Sequence, residues 1–335
     1  MTRIGLFGAG FMGTTHGHAY ARIPGVEIAV VVDQDLKRAE SLAKEVGGRA
    51  SSDPKMIFGD PSIDVIDVTL PTPLHPEFAI RGLQSGKHVM IEKPLALTLD
   101  EVDSILAAAK KSGKFMMVAH VIRFWPEYMA VMQVLKSGKL GKPLLATSYR
   151  MSNMPQWATW FRDPAAFGGA VLDLQIHDLD FMNLLFGVPK SISAIGLKDE
   201  TGGWNHVVTQ IKYSSGFASV EAGSMMPQDY PFTAGLKLMC EKGVIEFHFR
   251  AGGASFELGQ PVSYLLVHEP GRPSQPLAFE PGDGYLNELS YFIQCVNSGT
   301  PPARVTPADA RLAVQTALAS RMSLERGEAV LEPAG

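Results

Sequence analysis

Arg3-Ile4-Gly5-Leu6-Phe7-Gly8-Ala9-Gly10-Phe11-Met12-Gly13 decides the fold. An apolar strand signal runs into a G-x-G-x-x-G turn, and a helix pattern follows to about Arg22. Taken alone the motif is weak, because a chain with 33 glycines offers chance matches. Its place between a strand and a helix, at the start of a βαβ unit, gives it meaning. Gly8 permits the tight turn, Gly10 lets backbone approach a pyrophosphate, and Gly13 lets the helix pack closely on the sheet. The helix N-terminus then offers unpaired N–H groups and a positive dipole end to the phosphates. An ordinary strand–helix turn is the plain alternative.

Working outward, Val26–Val32 reads as a second strand and ends at Asp33, twenty residues beyond Gly13. A carboxylate there accepts hydrogen bonds from the adenosine ribose and repels a 2′-phosphate. NAD is therefore favoured over NADP, although Lys37 and Arg38 one turn later soften that preference; Asp33 as a simple helix cap is the alternative. Residues 64–68, 88–91 and 115–118 are further β-branched strand signals. Helices are expected over about 35–46, from near His75 to a stop at Gly86, and from a capping box at Thr98 and Glu101 to about Lys111. Strands alternating with helices predict a parallel, doubly wound sheet.

The texture changes near residue 125. Helices are expected over 126–137 and from Ala170 to Phe186, the latter stopped by Gly187. Strand signals dominate 190–268, with turn-length links that argue for antiparallel pairing. Two helices close the chain, over about 285–297 and 307–326, the second started by Thr306, Pro307 and Asp309.

Composition bounds the function. The chain has 335 residues, which at roughly 150 per domain suggests two domains. Net charge is −4, without the basic footprint of a nucleic-acid binder. No window approaches the roughly 18 uninterrupted apolar residues of a membrane span. The glycine turn interrupts the first apolar run, so no signal peptide is expected. Two cysteines, Cys240 and Cys295, make no disulfide framework; a reducing cytoplasm and buried thiols are the expectation, with no metal site.

Thr69-Leu70-Pro71-Thr72-Pro73-Leu74-His75 and Gly86-Lys-His-Val-Met-Ile-Glu92-Lys93-Pro94 carry a family resemblance. So do His120-Val-Ile-Arg123-Phe-Trp-Pro126, Gly138-Lys-Leu-Gly141 and Gly168-Gly-Ala-Val-Leu-Asp173-Leu-Gln-Ile-His177-Asp-Leu-Asp180. In this order they resemble the glucose–fructose oxidoreductase / inositol dehydrogenase / MocA (Gfo/Idh/MocA) family, nearest to inositol dehydrogenase-like members. The resemblance implies an α/β fold: a Rossmann doubly wound parallel sheet, then an α+β domain with a large, mostly antiparallel sheet. The expected division is 1–122 for NAD and 123–335 for substrate and oligomerisation, with the last helix free to pack back on the Rossmann domain. A homodimer or homotetramer through the C-terminal sheet is expected.

The resemblance also implies site residues. Gly8, Gly10, Phe11, Met12, Gly13 and Asp33 would hold the cofactor, together with Leu70, Pro71, Thr72, His75, Glu92, Lys93 and Arg123. Lys93, Asp173 and His177 would form the reaction centre, with Arg123 and Trp160 also near substrate and the Lys93–Pro94 bond cis. This set suits alcohol oxidation. A neutral His takes the hydroxyl proton, a lysine ammonium favours the developing alkoxide, and Asp173 orients His177 or a substrate hydroxyl. Asp173 and His177 are four residues apart and share a helix face, with Asp180 extending the stripe.

Plain alternatives stand beside these roles. The stripe reads equally as a solvated face. Arg123 suits a structural salt bridge, His75 a helix cap, His16 a structural role, and Trp157 with Trp160 a core or an interface. Residues 151–168, including Met151, Asn153, Met154, Gln156 and Trp160, are expected to line part of a pocket. The leading reading is an NAD(H)-dependent dehydrogenase acting on a secondary hydroxyl of a cyclic polyol, sugar or sugar derivative. Alternatives are a member recycling tightly bound NAD (a glycosidase or aldose–aldose oxidoreductase), a dihydrodiol or carbonyl-type reductase, and a non-catalytic NAD-sensing regulator.

Overall fold

The computed structural model describes residues 1–154, 163–251 and 262–331. The chain divides into two compact units, Met1–Trp125 with Gly282–Arg311, and Pro126–Pro281 with Leu312–Gly335. Both units are therefore discontinuous, whereas the sequence reading took 123–335 as one piece.

The first unit is built on β1 (Thr2–Phe7), β2 (Val26–Val32), β3 (Arg49–Ser51), β4 (Val65–Val68), β5 (His88–Ile91) and β6 (Met116–Val118). All pair in parallel, in the order β3-β2-β1-β4-β5-β6. That is the doubly wound Rossmann order, which reverses between β1 and β4 and opens a crevice at the strands' C-terminal ends. Burial on both faces explains the near-continuous Val/Ile runs that made these strands legible. β3 and the short helix Lys55–Phe58 escaped the sequence reading, because three- and four-residue elements show no period.

Helix Gly284–Ser298 completes this unit. Leu289, Phe292 and Ile293 lie on one face of it, and join the core of Ile4, Leu6, Tyr20 and Val31. Burying each such side chain is worth about 1.5–3 kcal/mol, which draws this late segment back to the N-terminal sheet. The helix that returns is thus the penultimate one. The last, Pro307–Arg326, starts in the first unit and continues into the second.

The second unit carries β7 (Pro143–Met151), β8 (Ser191–Lys198), β9 (Trp204–Lys212), β10 (Phe217–Gly223), β11 (Thr233–Cys240), β12 (Gly243–Arg250), β13 (Val262–His268), β14 (Gln275–Pro276) and β15 (Val330–Leu331). Among the described residues they form a nine-stranded sheet, β14-β13-β12-β11-β7-β10-β9-β8-β15. Every pair is antiparallel except β7 with β10. Central β7 was not expected. Its inward positions are Ala146, Ser148 and Arg150, all buried, so small and polar side chains mask the apolar alternation that normally betrays a strand.

One face of this sheet is packed, through Val207, Ile211, Ala218, Val220, Leu236 and Ile245. Helix Ile176–Phe186 is nearly all buried, and polar bonds fix it in place. Gln175 Nε2 donates to Val220 O (3.0 Å), Asn183 Nδ2 to Thr316 Oγ1 (2.9 Å), and buried Arg150 pairs with buried Asp178 (2.8 Å). The other face carries Ile195, 73% exposed, and Phe217, 55% exposed. No helix among the described residues is long and apolar enough to cross a membrane.

Candidate active site

The phosphate turn is a backbone construction. Gly8 has φ +97°, in the region that favours glycine, and a Cβ there would lie 2.6 Å from Thr69 O. A Cβ on Gly13 would collide with the Gly8 carbonyl and lie 2.9 Å from Thr69 Oγ1. At Gly10 an added Cβ would meet nothing within 4 Å, so open space faces this backbone. Gly10 is also the N-cap of helix Phe11–Tyr20, and no side chain caps it. First-turn N–H groups beside open space are what a pyrophosphate needs. Phe11 is exposed and Met12 half-buried at the helix start. Thr69, not singled out from sequence, anchors the turn: its hydroxyl donates to Phe7 O at 2.8 Å.

Asp33 stands at the C-terminal end of β2, and its carboxylate accepts from Ala9 N (2.8 Å) and Asp35 N (2.9 Å). Two oxygens offer about four acceptor directions, so capacity for ribose hydroxyls remains. Asp35 caps the next helix through Lys37 N, and Arg38 pairs with Asp35 at 3.5 Å. The helix cap is thus Asp35, and Arg38, one of the two cations expected to soften the NAD preference, faces a carboxylate.

Two loops border the same strand ends. Leu70 and Pro71 are half-buried and lead into buried Thr72. Lys93–Pro94 is cis. His75 caps nothing. Its buried ring lies between the loops, Nε2 2.8 Å from Leu70 O and Nδ1 2.9 Å from Pro94 O. Burial holds this imidazole below its usual pKa, against the pull of both carbonyls. Glu92 is buried beneath half-buried Lys93 and accepts its backbone N–H at 3.0 Å. His16, absent from the expected site residues, approaches Glu92 from below, with Nε2 3.2 Å from Oε1. Burial alone would raise the Glu92 pKa, but His16 and Lys93 together hold it below the usual range.

Arg123 makes contacts within the first unit. It is buried, donates to Arg304 O at 2.7 Å and pairs with Asp309 at 3.4 Å.

In the second unit the helix is entered through Gly168 and Gly169, both at positive φ. A Cβ on Gly169 would sit 2.9 Å from Trp204 O. The expected regular helix is a π turn over Val171–Gln175 followed by α-helix Ile176–Phe186. Such turns recur at functional sites. From Ala170 to Asn183 every residue is buried except Asp173, Leu174 and His177. The polar stripe therefore stops short of Asp180, which is fully buried, and it is no solvated face.

Of the segment expected to line a pocket, Met151 is buried at the end of β7. Asn153 and Met154 border a cavity of about 500 Å³, with Lys198, Asp199, Ser224 and Met225. Gln156, Trp157 and Trp160 lie outside the described residues.

Comparison with known proteins agrees with the turn and the fold. Residues 2–120 match the oxidoreductase family with NAD-binding Rossmann fold, and residues 128–246 match the GFO/IDH/MocA C-terminal domain. The chain belongs to the GFO/IDH/MocA oxidoreductase family. It is 29% identical to scyllo-inositol 2-dehydrogenase (NAD(+)) of Bacillus subtilis, over 97% of this chain and 94% of that one. It is 28% identical to myo-inositol 2-dehydrogenase of Thermotoga maritima, over 98% of each. The fold matches aldose-aldose oxidoreductase from Caulobacter crescentus with a TM-score of 0.86, at 20% identity over 98% of this chain and 99% of that one. Residues 2–120 of this family member form its NAD-binding Rossmann fold, and the chain is an oxidoreductase.

Proposed function

We propose that the protein is an NAD(H)-dependent dehydrogenase acting on a secondary hydroxyl of a cyclic polyol, sugar or sugar derivative. One observation carries the reaction centre. Along a mostly buried helix, the only polar side chains between Ala170 and Asn183 that are half-buried rather than buried are Asp173 and His177. The two full-length relatives, both inositol dehydrogenases by name, support the substrate class.

NAD, when bound, supplies the hydride acceptor. The residues deal with the proton and the charge. His177 takes the hydroxyl proton at an imidazole nitrogen, and Lys93 offers its ammonium to the oxygen as negative charge builds. Asp173 orients His177 or a neighbouring hydroxyl. Gly8, Gly10, Phe11, Met12 and Gly13 hold the pyrophosphate by backbone, and Asp33 holds the ribose. Thr72, His75 and Glu92 shape the loops around the nicotinamide end. Arg123 belongs to the framework of the first unit. The outward face of the nine-stranded sheet, with Ile195, Leu197, Phe217 and Tyr264 exposed, is the surface for a second copy of the chain.

A panel of inositols, sugars and sugar acids, followed by NADH absorbance, tests the reading. At least one polyol or sugar should be oxidised. His177→Ala should lower kcat by about 10²–10⁴, the usual worth of a positioned base. Turnover at the wild-type rate in that variant would remove His177 from the mechanism. Stoichiometric NAD in the purified protein with no net NADH would point to internal recycling of the cofactor.

A further inference from the structure

We propose that His16 is a positioning residue for the Lys93 turn: held between Asp67 and Glu92, its ring fixes the carboxylate that receives the Lys93 backbone N–H. The proposal rests on Lys93 being part of the reacting set.

The phosphate turn has no use for a histidine at this place. His16 faces inward from helix Phe11–Tyr20 and is fully buried, as is Asp67 of β4, while Glu92 follows β5. Nδ1 lies 2.8 Å from Asp67 Oδ2. Nε2 lies 3.2 Å from Glu92 Oε1, an ion-pair contact. Ionised carboxylates only accept, so a ring set between two of them needs a proton on each nitrogen. This setting favours the imidazolium form of His16. Burial by itself would lower its pKa, but Asp67 and Glu92 reverse this and hold it well above the usual value. Nearby titratable groups are Tyr20 on the same helix, which interacts with Asp67, and Tyr285 of helix Gly284–Ser298. The rings of His16 and Tyr285 are 6.1 Å apart, and Glu288 faces the Tyr20 hydroxyl.

Glu92 divides its two oxygens. Oε1 faces the imidazolium and Oε2 takes the Lys93 N–H. A buried carboxylate stripped of its cation either picks up a proton or turns toward water. Either change alters the acceptor that holds the Lys93 backbone, and with it the direction of the ammonium. The chain Asp67–His16–Glu92–Lys93 therefore ties the helix of the phosphate turn to the Glu-Lys-Pro loop. One end holds phosphate and the other presents the catalytic lysine.

Two measurements test this. The first is a double-mutant cycle with His16→Gln, Glu92→Gln and the pair, reading NAD Kd by fluorescence titration and kcat and KM separately. Each single variant should lose about three- to tenfold in kcat, raise the NAD Kd, and leave substrate KM nearly unchanged; the double should be no worse than either single. Additive effects, or singles that match wild type, would overturn the proposal. The second is ¹⁵N NMR of the wild-type histidine rings, with His16 assigned by its loss in His16→Gln. Both ring nitrogens should stay protonated at pH 8, and a neutral tautomer there would overturn the proposal even if the variants fail to fold. Should the wild type oxidise no polyol or sugar, the functional reading falls, while the NMR result and the NAD Kd cycle still decide the role of His16.

Discussion

Val65–Val68 is buried at all four positions, whereas Trp204–Lys212 alternates between buried and open positions from end to end. The first strand belongs to a sheet covered on both faces, the second to a sheet covered on one. The difference decides where chemistry goes. A sheet sealed on both sides leaves only its strand ends free, and the proposed cofactor residues Gly8, Asp33 and Glu92 follow the C-terminal ends of β1, β2 and β5, with the turn anchor Thr69 after β4. A sheet sealed on one side keeps a whole face exposed. The reacting side chains proposed for it, Asp173 and His177, sit on the helix laid across the packed face. In the proposed mechanism the first region works mainly through backbone and burial, the second through individual side chains.

Four changes would break or sharpen that contrast. The largest effect is expected at Lys93, where a side chain works inside the backbone-built region: Lys93→Ala should lower kcat by about 10²–10³, with a smaller rise in NAD Kd. Steady-state rates beside a binding titration check this, and equal losses in both would make Lys93 a binding residue only. Next is Gly8→Ala, which forces a side chain into a positive φ and against Thr69. It should cost about 1–3 kcal/mol in strain and raise NAD Kd, leaving the Asp173 helix intact. Normal NAD affinity in Gly8→Ala would deny that the turn holds phosphate by close approach. Asp33→Ser should narrow the NAD-over-NADP ratio of kcat/KM by about tenfold, one hydrogen-bonded carboxylate's worth at about 1.4 kcal/mol. An unchanged ratio would move ribose recognition elsewhere.

The smallest effect concerns pH. His16 has a folded pKa raised above its unfolded value near 6.5, so its contribution to stability is complete below about pH 6.5. That contribution declines as pH rises toward the raised value and is lost beyond it. Thermal melts should therefore show wild-type stability falling on the alkaline side, a limb that His16→Gln flattens. Identical alkaline slopes in the two proteins would show that His16 carries no extra proton in the folded state.

How much was legible follows the same contrast. The capping box at Thr98 and Glu101 and the start at Thr306 and Asp309 are local devices. Both are present, with Thr98 Oγ1 accepting from Glu101 N and Thr306 Oγ1 from Asp309 N. The turn at Gly8, Gly10 and Gly13 was equally local. β7 was missed because Ala146, Ser148 and Arg150 fill its inward side, and only the Asp178 pair and the close packing around them make those residues core. His75 was placed near the cofactor loops, but nothing along the chain tells that its ring meets two carbonyls from different loops. His16 was set aside as structural, since Asp67 and Glu92 lie 51 and 76 positions away in sequence (67 − 16 and 92 − 16).

The sequence by itself determined the βαβ start, the acidic end of β2, the family, and the candidate polar groups, because these rest on short-range backbone demands and ordered motifs. Tertiary structure alone decided that helix Gly284–Ser298 returns to the N-terminal sheet and that β7 sits at the centre of the second sheet. It alone left Asp173 and His177 open while closing Asp180, and set His16 between two carboxylates. Burial and charge pairing depend on residues distant in the chain, and no local pattern encodes which of them meet.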